Sequence, residues 1–473
     1  MLDKITKVLE NIDGYVWGIP LIVLILAVGI LLTSRVKCIQ VHKLPLALKY
    51  MFDNEEDGEG EVTSFGALCT ALSATIGTGN IVGVATAIAG GGPGALFWME
   101  LAAFFGMATK YSEGLLAVKY REIGKDGKVL GGPFYYIEKG MGENWKWLAK
   151  MFAIFAVLAG LLGIGTITQI NGITSAVKNF FDPSNQTIAF SIGENSYSWV
   201  TVIAGALVTL FTALVVIGGI KRISKVSEII VPFMAVLYVV SCLILIFTNI
   251  TKIPDAIALI VKSAFAPKAV FGATAGITIK LAMQNGIARG IFSNEAGLGS
   301  APIAAAAAQT KEPVRQGLVC MTGTFFDTIV ICTMTGLSIV LTGAYNDAMS
   351  GALEGAAVTT KAFTVGLPFT NSVCAFLLMI SLVFFAFTTI LGWDYYSERC
   401  LQYLVGDRKN VLRVYKVLYI LAVFVGPYLT VSFVWTVADI FNGLMALPNL
   451  IALIALSGVV ANETKKYFER HNL

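Results

Sequence analysis

Apolar runs recur along almost the whole chain, separated by short polar or charged stretches. At about 20 residues per bilayer crossing, the pattern predicts eleven spans, at 15–34, 64–90, 93–118, 151–178, 197–219, 226–249, 265–288, 316–343, 371–398, 411–432 and 435–460. No small-residue cleavage site precedes Arg35, so the first run is read as a retained helix and not as a signal peptide.

The second run breaks the apolar pattern from within. Ala71-Leu-Ser-Ala-Thr-Ile-Gly77-Thr-Gly79-Asn80-Ile-Val-Gly83 carries three glycines, hydroxyl side chains and an asparagine where lipid favours Leu and Ile. Glycine costs about 1 kcal/mol in a helix interior, and each unpaired backbone group in hydrocarbon costs several more. Such a segment reads as a broken transmembrane helix whose open backbone serves a buried site for something small. Five spans later, Phe271-Gly272-Ala-Thr-Ala-Gly276 turns to glycine and hydroxyl residues again. Counting back about 10 residues at 1.5 Å from Arg289, taken as cytoplasmic, puts the bilayer midplane near Ile279, close to Gly276. The bend expected at Asn285-Gly-Ile-Ala-Arg-Gly290 then lies toward the cytoplasmic end. Two broken spans, each opening a set of five and entering from opposite sides, imply an inverted five-plus-five repeat. Its halves are 64–249 and 255–460, with 15–34 as an extra N-terminal helix, all in one transmembrane domain.

Composition agrees with an all-α polytopic membrane protein. Of 473 residues, 56% are hydrophobic and 14% charged, against roughly 25% charged in soluble domains. Assigning alternate loops to the cytoplasm collects 25 Lys and Arg on that side and leaves seven on the other, which predicts a multi-pass protein of the cell membrane with its N-terminus outside and C-terminus inside. The net charge of +4 is therefore an orientation signal, with no nucleic-acid partner implied. The two histidines, His42 and His471, lie outside the spans, the seven cysteines form no Cys-x-x-Cys pair, and no Gly-x4-Gly-Lys-Ser/Thr loop occurs. These absences argue against a metal or nucleophile enzyme and against ATP hydrolysis by this chain, leaving binding and movement through the bilayer.

Polar groups inside the spans are the candidates for that work. Unwinding at Gly77-Thr78-Gly79 would present backbone N–H groups and a positive half-helix end to a carboxylate, with freed carbonyls for an ammonium group and a cation. Gly79-x-x-x-Gly83 also has the form of a helix-packing face. Gln169 and Asn171 read equally as interhelical glue or as substrate contacts. Thr388 and Thr389 form a hydroxyl pair that can serve a cation or bond back to its own helix. Glu100, Lys110, Lys280 and Asp327 are charges drawn inside spans, where insertion costs about 2.5–3.5 kcal/mol at the centre; Asp327 either faces an ion path or pairs, for example with Lys280. Trp393 reads as an interface anchor, with a gate as the alternative. The acidic run Asp53–Glu61 reads as a solvated connector, and Gly131-Gly-Pro-Phe-Tyr-Tyr-Ile-Glu-Lys-Gly140 as an amphipathic interfacial helix or inner gate element.

Three runs together resemble the alanine or glycine:cation symporter family: Ser73-Ala-Thr-Ile-Gly-Thr-Gly-Asn-Ile-Val-Gly83, Gly131-Gly-Pro-Phe-Tyr-Tyr-Ile-Glu138, and Asn285-Gly-Ile-Ala-Arg-Gly-Ile-Phe-Ser-Asn-Glu-Ala-Gly-Leu-Gly-Ser-Ala-Pro302. The resemblance runs from about residue 15 to 460. It implies a LeuT-like fold and sodium-coupled uptake of small neutral amino acids, alanine or glycine, by alternating access. By the same resemblance, sodium is the coupling ion, held by Ser73, Ile76, Phe385, Thr388 and Thr389, whose uncharged hard oxygens suit a monovalent cation better than Ca²⁺. The substrate is expected at Thr75, Gly77, Thr78, Gly79, Asn80, Gln169, Phe271, Gly272 and Gly276. No organic cofactor and no obligatory protein partner are implied beyond the bilayer. A proton- or sodium-coupled importer of another small solute on the same fold is the alternative, and a passive channel would differ by uncoupled, unsaturating flux.

Overall fold

The computed structural model describes residues 2–53, 58–124, 128–192, 195–266, 278–429 and 431–472. They are mostly helical, with two small antiparallel hairpins. Two N-terminal helices, α1 (Leu2–Val16) and α2 (Ile19–Arg35), precede a broken pair, α3 (Ser64–Thr75) and α4 (Val84–Gly91). Next come α5 (Gly94–Lys119), α6 (Lys146–Leu162), α7 (Ile167–Phe181), α8 (Trp199–Val216) and α9 (Gly219–Thr248). The later chain builds α10 (Ile279–Asn294), α11 (Ala301–Ala305), α12 (Pro313–Thr324), α13 (Thr333–Leu341), α14 (Asn371–Val405), α15 (Lys409–Val425) and α16 (Val431–His471). Among the described residues, eight helices are long and apolar enough to cross a membrane, or up to nine if the bent α3–α4 pair is one span.

Two expected spans are not of that apolar kind. The run 93–118 is a 26-residue helix, α5, but Glu100, Lys110 and Glu113 lie inside it. The run 265–288 falls partly on 267–277, outside the described residues, and its end from Ile279 opens α10, a helix with Lys280, Gln284, Asn285 and Arg289 along it. The expected span 151–178 lies within one apolar span, Glu143–Phe181, whose two helices part at Gly163–Thr166.

Burial sorts the helices into an inner set and an outer set. α8 and α15 present Leu207, Leu210, Phe211, Leu214, Val417 and Leu421 outward, an arrangement stable where lipid is the surrounding solvent. The inner set, α3, α4, α5, α10 and α12, is rich in buried small and polar residues: Ser73, Thr78, Asn80, Ser293 and Thr324 are all within 1% of complete burial. Some inner hydroxyls bond back to their own helix, as Thr70 does by donating to the Gly66 carbonyl at 2.8 Å. Thr63 caps α3 through the Gly66 amide at 2.9 Å. At the far end of the pair Gly92 takes φ +68°, which only glycine adopts freely, and turns the chain into α5.

Candidate functional site

The centre of the molecule is the turn between α3 and α4. The two helices meet at 50°, joined through Ile76, Gly77 and Thr78 and a π-helical turn over Gly79–Gly83. The amides released there are taken by side-chain oxygens: Gly77 N–H donates to Asn80 Oδ1 at 2.9 Å, and Thr78 N–H to Gln169 Oε1 at 3.2 Å. Both N–H groups thus face carbonyl-type oxygens in the position an anionic ligand oxygen would take. Thr78 Oγ1 is buried with no hydrogen-bond partner among the described residues. Gln169 anchors itself by donating to the Ile164 carbonyl at 2.9 Å, which ties this turn to the Gly163–Thr166 break. Asn171 instead bonds to the Leu429 carbonyl at 3.2 Å and borders an outer cavity, so of the two amides only Gln169 reaches the turn.

Behind the turn lie the oxygens assigned to sodium. Thr389 Oγ1 is 3.0 Å from the Phe385 carbonyl and 3.4 Å from the Ile76 carbonyl, bringing three hard oxygens from α14 and the broken helix together. Thr388, about 100° further round α14, donates to the Phe384 and Phe385 carbonyls, 3.0 Å each. The hydroxyls of Ser73 and Thr75 likewise turn back onto their own helix, to Thr70 at 2.8 Å and Ala71 at 3.2 Å. A Cβ on Gly77 would collide with Thr389 Oγ1 and lie 3.2 Å from Gln169 Oε1. On Gly79 it would meet Ser293 Cα at 3.0 Å, whereas on Gly83 it would meet nothing within 4 Å. Gly79 therefore permits close approach to α10, but Gly79 and Gly83 do not form a joint packing face. Phe271, Gly272 and Gly276 lie outside the described residues.

The described part of the second half carries its break elsewhere than at Asn285–Gly290, which is continuous helix within α10. The chain unwinds over Glu295–Ser300, with Glu295 at φ +59°, Gly297 at +90° and Gly299 at +81°. A non-glycine residue in this region is strained and persists only where its surroundings hold it. Glu295 is held firmly: it is fully buried, accepting from Trp393 Nε1 at 2.8 Å and Ser300 Oγ at 2.7 Å. Trp393 is therefore a buried ligand of the unwound segment and not an interface anchor. Nearby, Glu113 Oε1 accepts from Asn449 at 2.6 Å and the Gly297 amide at 3.2 Å, and Asn449 accepts from Tyr136 of the 131–140 segment. That segment is thus a buried inner strut, with Phe134, Tyr136 and Ile137 almost inaccessible.

Asp327 joins the two broken segments. Its Oδ1 accepts from Asn80 at 2.8 Å, and its Oδ2 accepts from Ser293 at 2.9 Å and Thr328 at 2.8 Å. Lys280 is exposed and is not its partner. The charge drawn inside a span thus lies beside the turn at Asn80, and Ser293, which links it to α10, had no distinguishing mark among the hydroxyl residues.

Ion pairs flank the site at opposite ends of the broken helix. Beyond α4, Arg289 binds both oxygens of Asp439 on α16, at 3.0 and 2.6 Å, with its guanidinium over Trp435 and Phe292. Arg289 is therefore an interior residue and not a loop charge. Arg289 borders a cavity of about 670 Å³ lined also by Val82, Thr86, Asn171, Glu354 and Trp435. α1 and α2 brace the pair, since Trp17 between them donates to the Asp439 carbonyl at 2.8 Å. Before α3, Glu61 pairs with Arg399 of α14 at 3.1 Å and accepts from the Val129 amide at 2.8 Å. The described end of the acidic run is accordingly bound and not solvated.

Comparisons with known proteins give the chain a family and a fold. The sequence profile described as "Sodium:alanine symporter family" matches residues 2–473. An uncharacterized transporter of Haemophilus influenzae is 54% identical over 466 residues, covering 98% of this chain and 97% of its own. The sodium/alanine symporter AgcS of Methanococcus maripaludis is 46% identical over 469 residues, covering 98% and 97%. Among solved structures, MhsT in complex with L-phenylalanine superposes with a TM-score of 0.55 at 13% identity, over 86% of this chain and 99% of that one. At that identity the likeness is one of fold.

Proposed function

We propose that this chain, a member of the sodium:alanine symporter family, couples inward sodium movement to uptake of alanine, with glycine as a second substrate, by alternating access around the α3–α4 turn. The observation that carries the reading is the convergence of the Ile76 and Phe385 carbonyls on Thr389 Oγ1, directly behind the Gly77 and Thr78 amides. An amino acid carboxylate takes the two amides in exchange for the Asn80 and Gln169 oxygens, and sodium takes the three oxygens behind. Occupancy of one site then favours the backbone geometry of the other, which is coupling in the thermodynamic sense.

Charge supports the cation. Glu113, Glu295 and Asp327 are fully buried and all face Lys110, the one buried lysine among the described residues. A bound cation lowers the cost of keeping carboxylates ionised there. Asp327, through Asn80, holds the turn in its unwound form. The Arg289–Asp439 and Glu61–Arg399 pairs act as outer and inner gates, released alternately. The inverted repeat of two five-helix halves, with α1 and α2 outside it and the C-terminus cytoplasmic, is the architecture in which such exchange operates.

Thr389→Ala is expected to raise the sodium concentration for half-maximal alanine binding more than tenfold, about 1.4 kcal/mol or more. Thr388→Ala should act more weakly, because that hydroxyl faces its own helix. Unchanged sodium dependence in folded Thr389→Ala protein removes the site. For the substrate, close packing of Gly79 on Ser293 and of Gly172 on Thr78 supports a small ligand. Glycine should displace labelled alanine, while leucine, whose extra methylenes each count for only about 1–3 kcal/mol, should compete poorly. Equal competition by leucine would point to a broader transporter.

A further inference from the structure

We propose that Asp394 is a proton-binding site that makes transport pH-dependent, an inference that rests on the symport reading above. Asp394 lies in α14, fully buried, and neither carboxyl oxygen has a hydrogen-bond partner among the described residues. The titratable groups facing it are Glu398 on its own helix and Tyr415, Lys416 and Tyr419 on α15. Lys416 is committed to Glu398 at 3.0 Å. Tyr419 gives its hydroxyl to the Gly165 and Ile390 carbonyls, at 2.9 and 2.7 Å. A charged carboxylate with no donor, enclosed within a membrane protein, is costly enough that it neutralises. A proton taken from solvent does this with no change in packing, beside the buried Tyr415 hydroxyl.

The position links this proton to the transport cycle. The residue before it, Trp393, holds Glu295 at the α10–α11 break. Ile390, one turn earlier, shares Tyr419 with Gly165 at the α6–α7 break. Thr389 reaches Ile76 at the α3–α4 break. Losing the proton requires water or a donor to enter between α14 and α15, which displaces the helix that touches all three breaks. The protonated form therefore favours the arrangement seen here, and transport responds to pH through that preference.

Wild type and Asp394→Asn, in proteoliposomes under a fixed sodium gradient, separate the outcomes. Between about pH 5 and 9, the span in which buried carboxyl groups titrate, wild-type alanine uptake should fall at least threefold. Asp394→Asn should stay flat near the low-pH rate. An Asn variant that keeps the wild-type slope overturns the proposal. Infrared difference spectra of the purified proteins give a readout independent of transport: the carboxylic acid C=O band of wild type should lose a component in Asp394→Asn, and no loss overturns the site. Asp394→Leu tests the neutral requirement again. If neither neutral replacement folds, the fold needs the charge and the proposal fails. Wild type that shows the band but no sodium-driven uptake would sink the symport reading and leave the proton site standing.

Discussion

Arg289→Ala should lower the stability of the purified protein by about 3–5 kcal/mol, the cost of leaving one half of a buried ion pair alone. Asp439 has 8% of its side chain exposed and takes both its strong hydrogen bonds from Arg289. Asp13 of α1, whose Oδ1 has no partner among the described residues, adds a second carboxyl group facing the pair. Removing both partners should restore most of the loss, because two apolar replacements leave no isolated charge. The double variant Arg289→Leu/Asp439→Leu is therefore expected to melt close to wild type in detergent while transporting slowly, since the pair proposed as the outer gate is gone. A double variant as unstable as Arg289→Ala would assign the defect to lost packing against Trp435 and Phe292 instead.

Gly77→Ala should weaken sodium-dependent alanine binding at least a hundredfold, about 2.7 kcal/mol, with the protein still folded. The new methyl occupies the place of Thr389 Oγ1 and crowds Gln169 Oε1, so a single carbon disturbs both the cation oxygens and the brace on the Thr78 amide. Gly83→Ala is the matched control. Its methyl meets nothing within 4 Å, and binding should stay within a factor of about two, in keeping with open positions in general. Binding lost equally in both variants would mean that the whole segment needs glycine for flexibility, and the specific contact with Thr389 would carry no weight.

These residues also mark what was legible in the chain. The first break announces itself because three glycines and an asparagine stand in a lipid-like run, where the backbone penalty of glycine has no other explanation. The break at Glu295–Ser300 does not, because its charge and small residues look like the polar end of a span. Arg289, read as a loop charge, moved the inferred midplane toward Gly276. Hydropathy responds to helices that face lipid, and α10 faces the interior, where Asn285, Arg289 and Ser293 are tolerated. Trp393 failed for a related reason: an indole suits both a membrane interface and a buried carboxylate partner. Thr388 and Thr389 were inseparable in sequence, since only the turn of about 100° between them decides which one faces Ile76. Gln169 was recoverable as a buried amide needing a partner, though its partner 91 residues earlier is a property of the fold.

The most direct test of sodium-coupled alanine uptake is accumulation of labelled alanine in proteoliposomes with an inward sodium gradient and no other driving force. Alanine should rise above its external concentration and fall back when the gradient is collapsed by a sodium ionophore, and Thr389→Ala should need more than about tenfold higher sodium for the same rate. Uptake that only equilibrates, at the same rate with sodium or potassium outside, would contradict the account.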